Sequence, residues 1–179
     1  MQQDSQTPVM KVNYPKVLVA HDSLHAPVGW LRIDGSDAGI SAVNFVDEDP
    51  GRTDGDLPQC IADCKAQLEE YFAGKRQDFD LPLRPQGTDF QVGVWNVLLG
   101  IPFGVTKSYR DVALSRWNDK TIRAVGTANG QNPIAIIVPC HRVIGSNGEL
   151  TGYAGGLWRK KWLLEHEQGQ RYGQQGSLF

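Results

Sequence analysis

The sequence predicts an α+β chain in two parts, a small antiparallel sheet with one covering helix and then a helix-turn-helix domain. Three observations carry this. Short apolar runs broken by Gly, Asp and Pro fill the first half, the pattern of strands joined by tight turns. Apolar residues then recur at helical spacing through Ile61, Cys64, Leu68, Tyr71 and Phe72, and again after Thr88. Charge divides as well. Residues 1–84 hold 8 Lys and Arg against 14 Asp and Glu, whereas residues 85–179 hold 10 against 6. The whole-chain net of -2 thus conceals one half at -6 and another at +4. A basic half is either the electrostatic footprint of a nucleic-acid partner or a chance difference between two solvated surfaces.

Taken in order, residues 1–10 read as a frayed start. Val17-Leu18-Val19, residues 31–33 and residues 40–46 are the expected strands, and Gly74 ends the covering helix. Residues 78–87, with Pro82 and Pro85, read as a linker, which divides the chain into domains at 1–84 and 85–170 with a tail at 171–179. Thr88-x-x-Gln91 is a capping box opening a helix whose Phe90, Val94, Trp95 and Leu98 face inward, and Gly100 and Pro102 end it. Ser108-x-x-Asp111 opens a second helix running to about Trp117. A third follows the polar turn Asn118-Asp119-Lys120, completing the helix-turn-helix. Ile134-Ala135-Ile136-Ile137-Val138 suits a buried strand stopped by Pro139. Val143 and Ile144, the turn Ser146-Asn147-Gly148 and Leu150 predict a hairpin, and a last helix spans residues 157–167 before a Gln/Gly-rich tail.

Composition narrows the class. With 40% apolar and 21% charged residues, 20 Gly and 10 Pro, disorder, collagen and coiled coil are excluded. No apolar run approaches the roughly 18 residues of a membrane span, and the start MQQDSQTP is no secretory signal. Three cysteines cannot all pair, which suits reduced thiols and a cytoplasmic location.

Chemistry concentrates at Pro139-Cys140-His141-Arg142. A thiol is a modest nucleophile until basic or cationic neighbours raise its thiolate fraction. Neighbours on a strand point apart, so His141 needs a turn or a bridging water to serve the sulfur. Glu167 is the candidate to orient the imidazole. A buried thiol beside a structural histidine remains the plain alternative. The third helix is also unusual, because Gly126 and Gly130 each cost about 1 kcal/mol relative to Ala. Its face of Ala124, Gly126, Thr127 and Ala128 suits either close helix packing or a backbone lying close to DNA, with Arg123 as the single long projecting group.

Gly87-Thr88-Asp89-Phe90-Gln91 with Val94-Trp95, Ile101-Pro102-x-Gly104-x-Thr106-x-Ser108-Tyr109, Arg123-Ala124-Val125-Gly126 and Asn132-Pro133 occur in order. Pro139-Cys140-His141-Arg142-Val143-Ile144-Gly145, Leu150-Thr151-Gly152-Tyr153-Ala154-Gly155-Gly156 and Lys160 with Leu163-Leu164-x-x-Glu167 follow. This constellation over about residues 87–167 resembles the O6-alkylguanine-DNA alkyltransferases, or methylated-DNA–protein-cysteine methyltransferases. The resemblance implies a ribonuclease-H-like N-terminal domain and a winged helix-turn-helix-like catalytic domain. It implies DNA repair by irreversible, single-turnover transfer of an alkyl group from O6-alkylguanine, and from O4-alkylthymine, to Cys140. The partner is double-stranded DNA bound through its minor groove by a monomer, with no membrane role; no cofactor and no metal are called for. The location implied is cytoplasmic, nucleoid-associated in a prokaryote or nuclear in a eukaryote.

By the same resemblance Arg123 is the finger that fills the gap left by the flipped base, with Ala124, Gly126, Thr127 and Arg142 also at the DNA. Tyr109 crowds the 3′ phosphate and donates to the base N3. The carbonyls of Cys140 and Val143 hold the exocyclic amine, the N–H of Ala154 bonds O6, Tyr153 walls the pocket and Ala135 borders it. Asn132 braces the turn before the reactive cysteine, while His141, through a water, takes the thiol proton and Glu167 polarises it. Two other classes compete. A helix-turn-helix regulator keeping Cys140 as a lesion sensor predicts preference for an undamaged sequence, and a thiol hydrolase predicts turnover on an ester or amide. Cys60 and Cys64, four apart, are expected on a helix face rather than at a metal. Asp47-Glu48-Asp49 and Arg159-Lys160-Lys161 are expected as solvated faces, and Trp30, Trp95 and Trp162 as core.

Overall fold

The computed structural model describes residues 18–174, with side chains described to residue 169; the expected frayed start lies outside this span. Three strands, β1 (Ala20–Ala26), β2 (Gly29–Ser36) and β3 (Gly39–Val46), form an antiparallel meander in that order. Cross-strand pairs such as Leu24 with Leu31 and Ile33 with Val43 set its register. Helix α1 (Gln59–Phe72) covers the sheet with Ile61, Cys64, Leu68 and Tyr71, all fully buried. Cys60 donates its thiol hydrogen to Ser36 O at 3.1 Å, so both α1 cysteines are packing residues.

The first strand is not where its apolar run suggested. Val17 lies outside the described residues, Leu18 and Val19 are exposed, and pairing begins at Ala20. The buried positions of β1 are Ala20, Asp22, Leu24 and Ala26, too small or polar to announce a strand. The proline-rich stretch is more than a linker. It lies along the free edge of β3, where Ile40 N–H donates to Pro82 O at 2.8 Å and Arg84 N–H to Ile40 O at 2.7 Å.

The second half carries α2 (Asp89–Leu99), β4 (Lys107–Ser108), α3 (Tyr109–Arg116), α4 (Ile122–Gly130), β5 (Val143–Ile144) and α5 (Leu157–Gln174). Both capping boxes close as the sequence predicts, Thr88 with Gln91 on α2 and Ser108 with Asp111 on α3. Between α3 and α4 the Asn118 side chain accepts from Lys120 N–H at 2.9 Å, which sets the turn of the helix-turn-helix.

Three expectations are overturned here. Residues 134–138 do not form a strand: only Ile134 bridges, to Val43 of β3, and the chain then coils into successive turns with Ile136 at φ 71°. A β-branched residue there costs on the order of 1–3 kcal/mol, sustained by surroundings that leave no alternative. Asn132 supplies that constraint, because its Oδ1 accepts from Ile134 N–H at 3.0 Å and its Nδ2 donates to Val138 O at 2.8 Å. Second, β5 pairs in parallel with β4, Lys107 with Val143 and Ser108 with Ile144. The turn at residues 145–149 reverses the chain, yet Leu150 joins no strand. Third, α5 passes through Gly169 and residues 171–174 into the expected tail. A single core cluster runs from Ala20 to Leu163 across both halves, and Val43 also bonds Pro133 and Ala135. The cysteine loop is thus hung on the edge of the N-terminal sheet.

Candidate active site

Cys140 opens a tight helical turn with His141 and Arg142, entered through Pro139. It is 6% exposed and sits in a cleft of about 380 Å³ that Asn44, Phe45, Asn132, Ala135, Tyr153 and Ala154 also line. Asn132 Nδ2 lies 3.1 Å from Sγ, so the amide that braces the loop also donates to the sulfur. Burial pushes the Cys140 thiol up, while the Asn132 donor and the Lys160 charge pull the other way. The net remains upward, so the resting sulfur is a thiol and needs a base.

Behind the cysteine lies a buried polar cluster centred on Glu167, which has no exposed surface. His141 Nε2 meets Glu167 Oε1 at 2.7 Å, and Tyr71 Oη donates to that oxygen at 2.8 Å. Arg142 approaches both carboxylate oxygens, Nε to Oε2 at 2.9 Å and Nη2 to Oε1 at 3.0 Å. Gly104 N–H donates to Oε2 at 3.2 Å. Burial alone would raise the pKa of Glu167, but His141 and Arg142 hold it well below the usual carboxylate range. His141 is pushed down by burial against the pull of Glu167. The imidazole is therefore neutral. An ionised carboxylate only accepts, which assigns the ring hydrogen to Nε2 and the free lone pair to Nδ1.

Among the described residues, the buried side-chain N and O atoms without a hydrogen-bond partner are His141 Nδ1, Asn129 Oδ1 and Tyr153 Oη. Asn129 and Tyr153 line the cleft, and His141 follows Cys140 in the same helical turn. Unsatisfied buried groups mark sites that accept water or ligand.

Lys160 is fully buried beside them, correcting its expected solvated face. Its Nζ donates to Thr151 O at 3.1 Å and lies 5.7 Å from the centre of the Tyr109 ring. Burial pushes its pKa down to about 8, opposed by Cys140. Sequence reasoning gave it no role, although its spacing to Leu163, Leu164 and Glu167 puts it on the inward stripe of α5. Arg142 is the second correction. Expected at the DNA, it is 6% exposed, bound to Glu167 and to Ile101 O at 2.6 Å.

The other predicted residues divide between the cleft and the outer face. Val143 is fully buried beside the cysteine turn, while Ala154 is exposed at the cleft rim. Tyr109 is half-buried and donates to Thr151 O at 3.0 Å. Arg123, Ala124 and Thr127 lie exposed on α4, and a Cβ at Gly126 would come 3.8 Å from the Tyr109 ring. Of the tryptophans, Trp95 is core and donates to Ala128 O at 2.9 Å, whereas Trp30 and Trp162 are only half-buried. No group of three or more potential metal ligands occurs among the described residues.

A helix-turn-helix joined to a cleft that holds a buried cysteine, next in sequence to a histidine paired with a buried glutamate, defines a thiol-dependent protein built to act on nucleic acid. Residues 89–169 match the family described as 6-O-methylguanine DNA methyltransferase, DNA binding domain, and residues 19–85 match its ribonuclease-like domain. The chain belongs to this methyltransferase family. A methylated-DNA–protein-cysteine methyltransferase of Methanosarcina barkeri is 43% identical over 155 residues, 83% of this chain and 96% of that protein. One from Mycobacterium tuberculosis is 44% identical over 154 residues, 84% of this chain and 93% of its own. The crystal structure of the M. tuberculosis O6-methylguanine methyltransferase superposes with a TM-score of 0.76 at 42% identity, covering 86% of this chain and 94% of that one. A structure of the M. tuberculosis OGT in complex with DNA gives a TM-score of 0.76 at 44% identity over 84% of this chain and 93% of that one.

Proposed function

We propose that this chain repairs DNA by taking the alkyl group of O6-alkylguanine, and of O4-alkylthymine, onto Cys140 in a single irreversible event. The carrying observation is the arrangement of Cys140, with an amide donor on its sulfur and a neutral His141 held by Glu167 next to it. Residues 85–170 bind DNA and perform the transfer, and residues 1–84 support them. As a monomer, the protein presents α4 to the minor groove of double-stranded DNA. Arg123 takes the place of the extruded nucleotide, whose unstacking costs a few kcal/mol.

The thiol proton passes through a water to His141 Nδ1, and the resulting imidazolium is stabilised by Glu167 at Nε2. The Cys140 Sγ lone pair forms an S–C bond to the alkyl carbon while the C–O6 bond breaks and its electron pair leaves on guanine. Tyr109 exchanges Thr151 O for the base N3, gives its hydroxyl proton there as the electron pair arrives, and regains a proton from solvent while His141 releases the one it took. The carbonyls of Cys140 and Val143 hold the exocyclic amine, and the N–H of Ala154 meets O6. The thioether formed is inert, because a thiolate is a poor leaving group from an alkyl carbon, so one molecule serves one lesion without a cofactor. Its DNA substrate places the work in the cytoplasm, on the nucleoid of a prokaryote, or in a eukaryotic nucleus; no helix among the described residues is long and apolar enough to cross a membrane.

The test is to mix the protein with duplex DNA carrying O6-methylguanine and weigh the products. One methyl group is expected on the peptide containing Cys140 and none in Cys140→Ala. An unmodified protein after prolonged incubation overturns the reading.

A further inference from the structure

Glu167 is held by four residues from three parts of the chain, and one of them comes from the first half. Tyr71 stands on the last turn of α1 with no exposed surface, and its hydroxyl donates to Glu167 Oε1 across 96 positions of sequence. That oxygen is the one His141 Nε2 uses, so a single atom receives both donors. The Tyr71 ring is fixed as well. It packs edge-on against Phe72 and Phe103, tilts against Phe79 and meets His166 at 5.2 Å. His166 of α5 in turn meets the carbonyl of Tyr71 at 2.8 Å through Nε2. Packing alone would be served by phenylalanine. A phenol whose only room is against an ionised, fully buried carboxylate makes a charge-assisted hydrogen bond, stronger than a neutral one.

Resting on the function proposed above, we infer that Tyr71 is a positioning residue of the transfer reaction, through which the N-terminal half fixes and tempers the Glu167–His141 pair. Two consequences follow for His141. Geometrically, the hydroxyl limits where Oε1 can sit and so where Nδ1 points. Electrostatically, it shares the charge of Oε1, so the carboxylate pulls less on Nε2–H and the imidazole is less basic than Glu167 alone would make it. The charged and titratable groups around His141 are Glu167 and Lys160 from α5, Arg142 and Cys140 from its own turn, and Tyr71 from α1. Of these, Tyr71 is the one supplied by the supporting half. Burial and Glu167 both push its own pKa well up, so it remains a donor throughout the working range.

The experiment is single-turnover transfer by the full chain from an O6-methylguanine duplex, followed across pH for wild type, Tyr71→Phe and Phe72→Leu. Phe72→Leu loosens the same α1–α5 seam without touching a hydrogen bond. Tyr71→Phe should slow transfer about tenfold while DNA affinity is unchanged, the size expected of a hydrogen bond to a charge. Its acid limb should move to higher pH, because the more basic His141 becomes protonated, and useless as a base, sooner. Phe72→Leu should lower thermal stability and keep the wild-type limb. Wild-type transfer with a Tyr71→Phe rate and limb equal to it overturns the inference and leaves the function standing. A shift shared by both variants also overturns it, reducing Tyr71 to packing. No transfer by wild type overturns the function itself.

Discussion

Asn132 Nδ2 stands 3.1 Å from Cys140 Sγ and 2.8 Å from Val138 O, so one amide both donates to the nucleophile and holds the loop that delivers it. Asn132→Ala removes both contacts and strands buried polar groups, each worth about 1–3 kcal/mol. The expected result is a lower melting temperature together with transfer slowed by about 100-fold. Asn132→Asp keeps an acceptor for Ile134 N–H but places negative charge beside the sulfur. It should retain more stability than the alanine variant and be at least as slow. An aspartate variant with near wild-type rates shows that the sulfur contact is incidental.

Lys160 gives a prediction with a fixed sign. Its folded pKa of about 8 lies below the ordinary lysine value of 10.5, so between these limits the unfolded chain binds more protons. Stability contributed through this group therefore rises as pH climbs from about 8 to 10.5. Lys160→Met removes that slope, so wild type should lose melting temperature relative to the variant as pH falls from 10 to 8, and the difference should level off below pH 8. The same change removes a cation near Cys140, so alkylation of the thiol by a small haloacetamide should require higher pH. A variant whose thiol titrates as in wild type rules out charge coupling between the two.

How much of this was legible in the sequence depends on distance along the chain. Capping boxes at Thr88 and Ser108 span three residues and could be read directly. The apolar run at residues 134–138 has strong strand propensity, yet the side chain of Asn132 takes its hydrogen bonds and coils it. Local preference lost to a tertiary contact. The resemblance puts Arg142 at the DNA, and its actual partner Glu167 lies 25 residues on, visible only once α5 is docked. Arg159, Lys160 and Lys161 looked like one charged surface, but successive helical side chains point about 100° apart and the middle one faces the core. Tyr71 fitted the buried stripe of α1 as an apolar ring. Its hydroxyl had no visible purpose until Glu167 was placed beside it.

Glu167→Gln keeps the shape of the side chain and removes the charge that neutralises Arg142. Breaking a buried ion pair in this way costs about 3–5 kcal/mol. Transfer should slow by at least tenfold, because the imidazolium formed at His141 loses its counter-charge, while affinity for duplex DNA stays within about twofold. The acid side offers a second check. A carboxylate held below its unfolded pKa stabilises the fold above that pKa and loses the contribution as pH falls. Wild type should therefore lose stability faster than Glu167→Gln below about pH 4. Equal losses of transfer and DNA binding in the variant speak against a role in the relay.

Arg123 is exposed near the start of α4, and neither Ala124 nor Thr127 beside it has comparable length. If its task is to occupy the gap left by the extruded base, the benefit exists only where a stack must be opened. Arg123→Ala should slow transfer most in a fully paired duplex, less opposite a mismatch that already weakens the stack, and hardly at all with free O6-alkylguanine. The expected loss in paired DNA is about tenfold to 100-fold, corresponding to part of the few kcal/mol needed for flipping. Phosphate contacts behave differently, since their loss flattens the salt dependence of binding on every substrate. Measuring transfer on the three substrates at two salt concentrations separates these roles. A uniform defect that shrinks as salt rises makes Arg123 a phosphate ligand and leaves the flipped base to be replaced by another group.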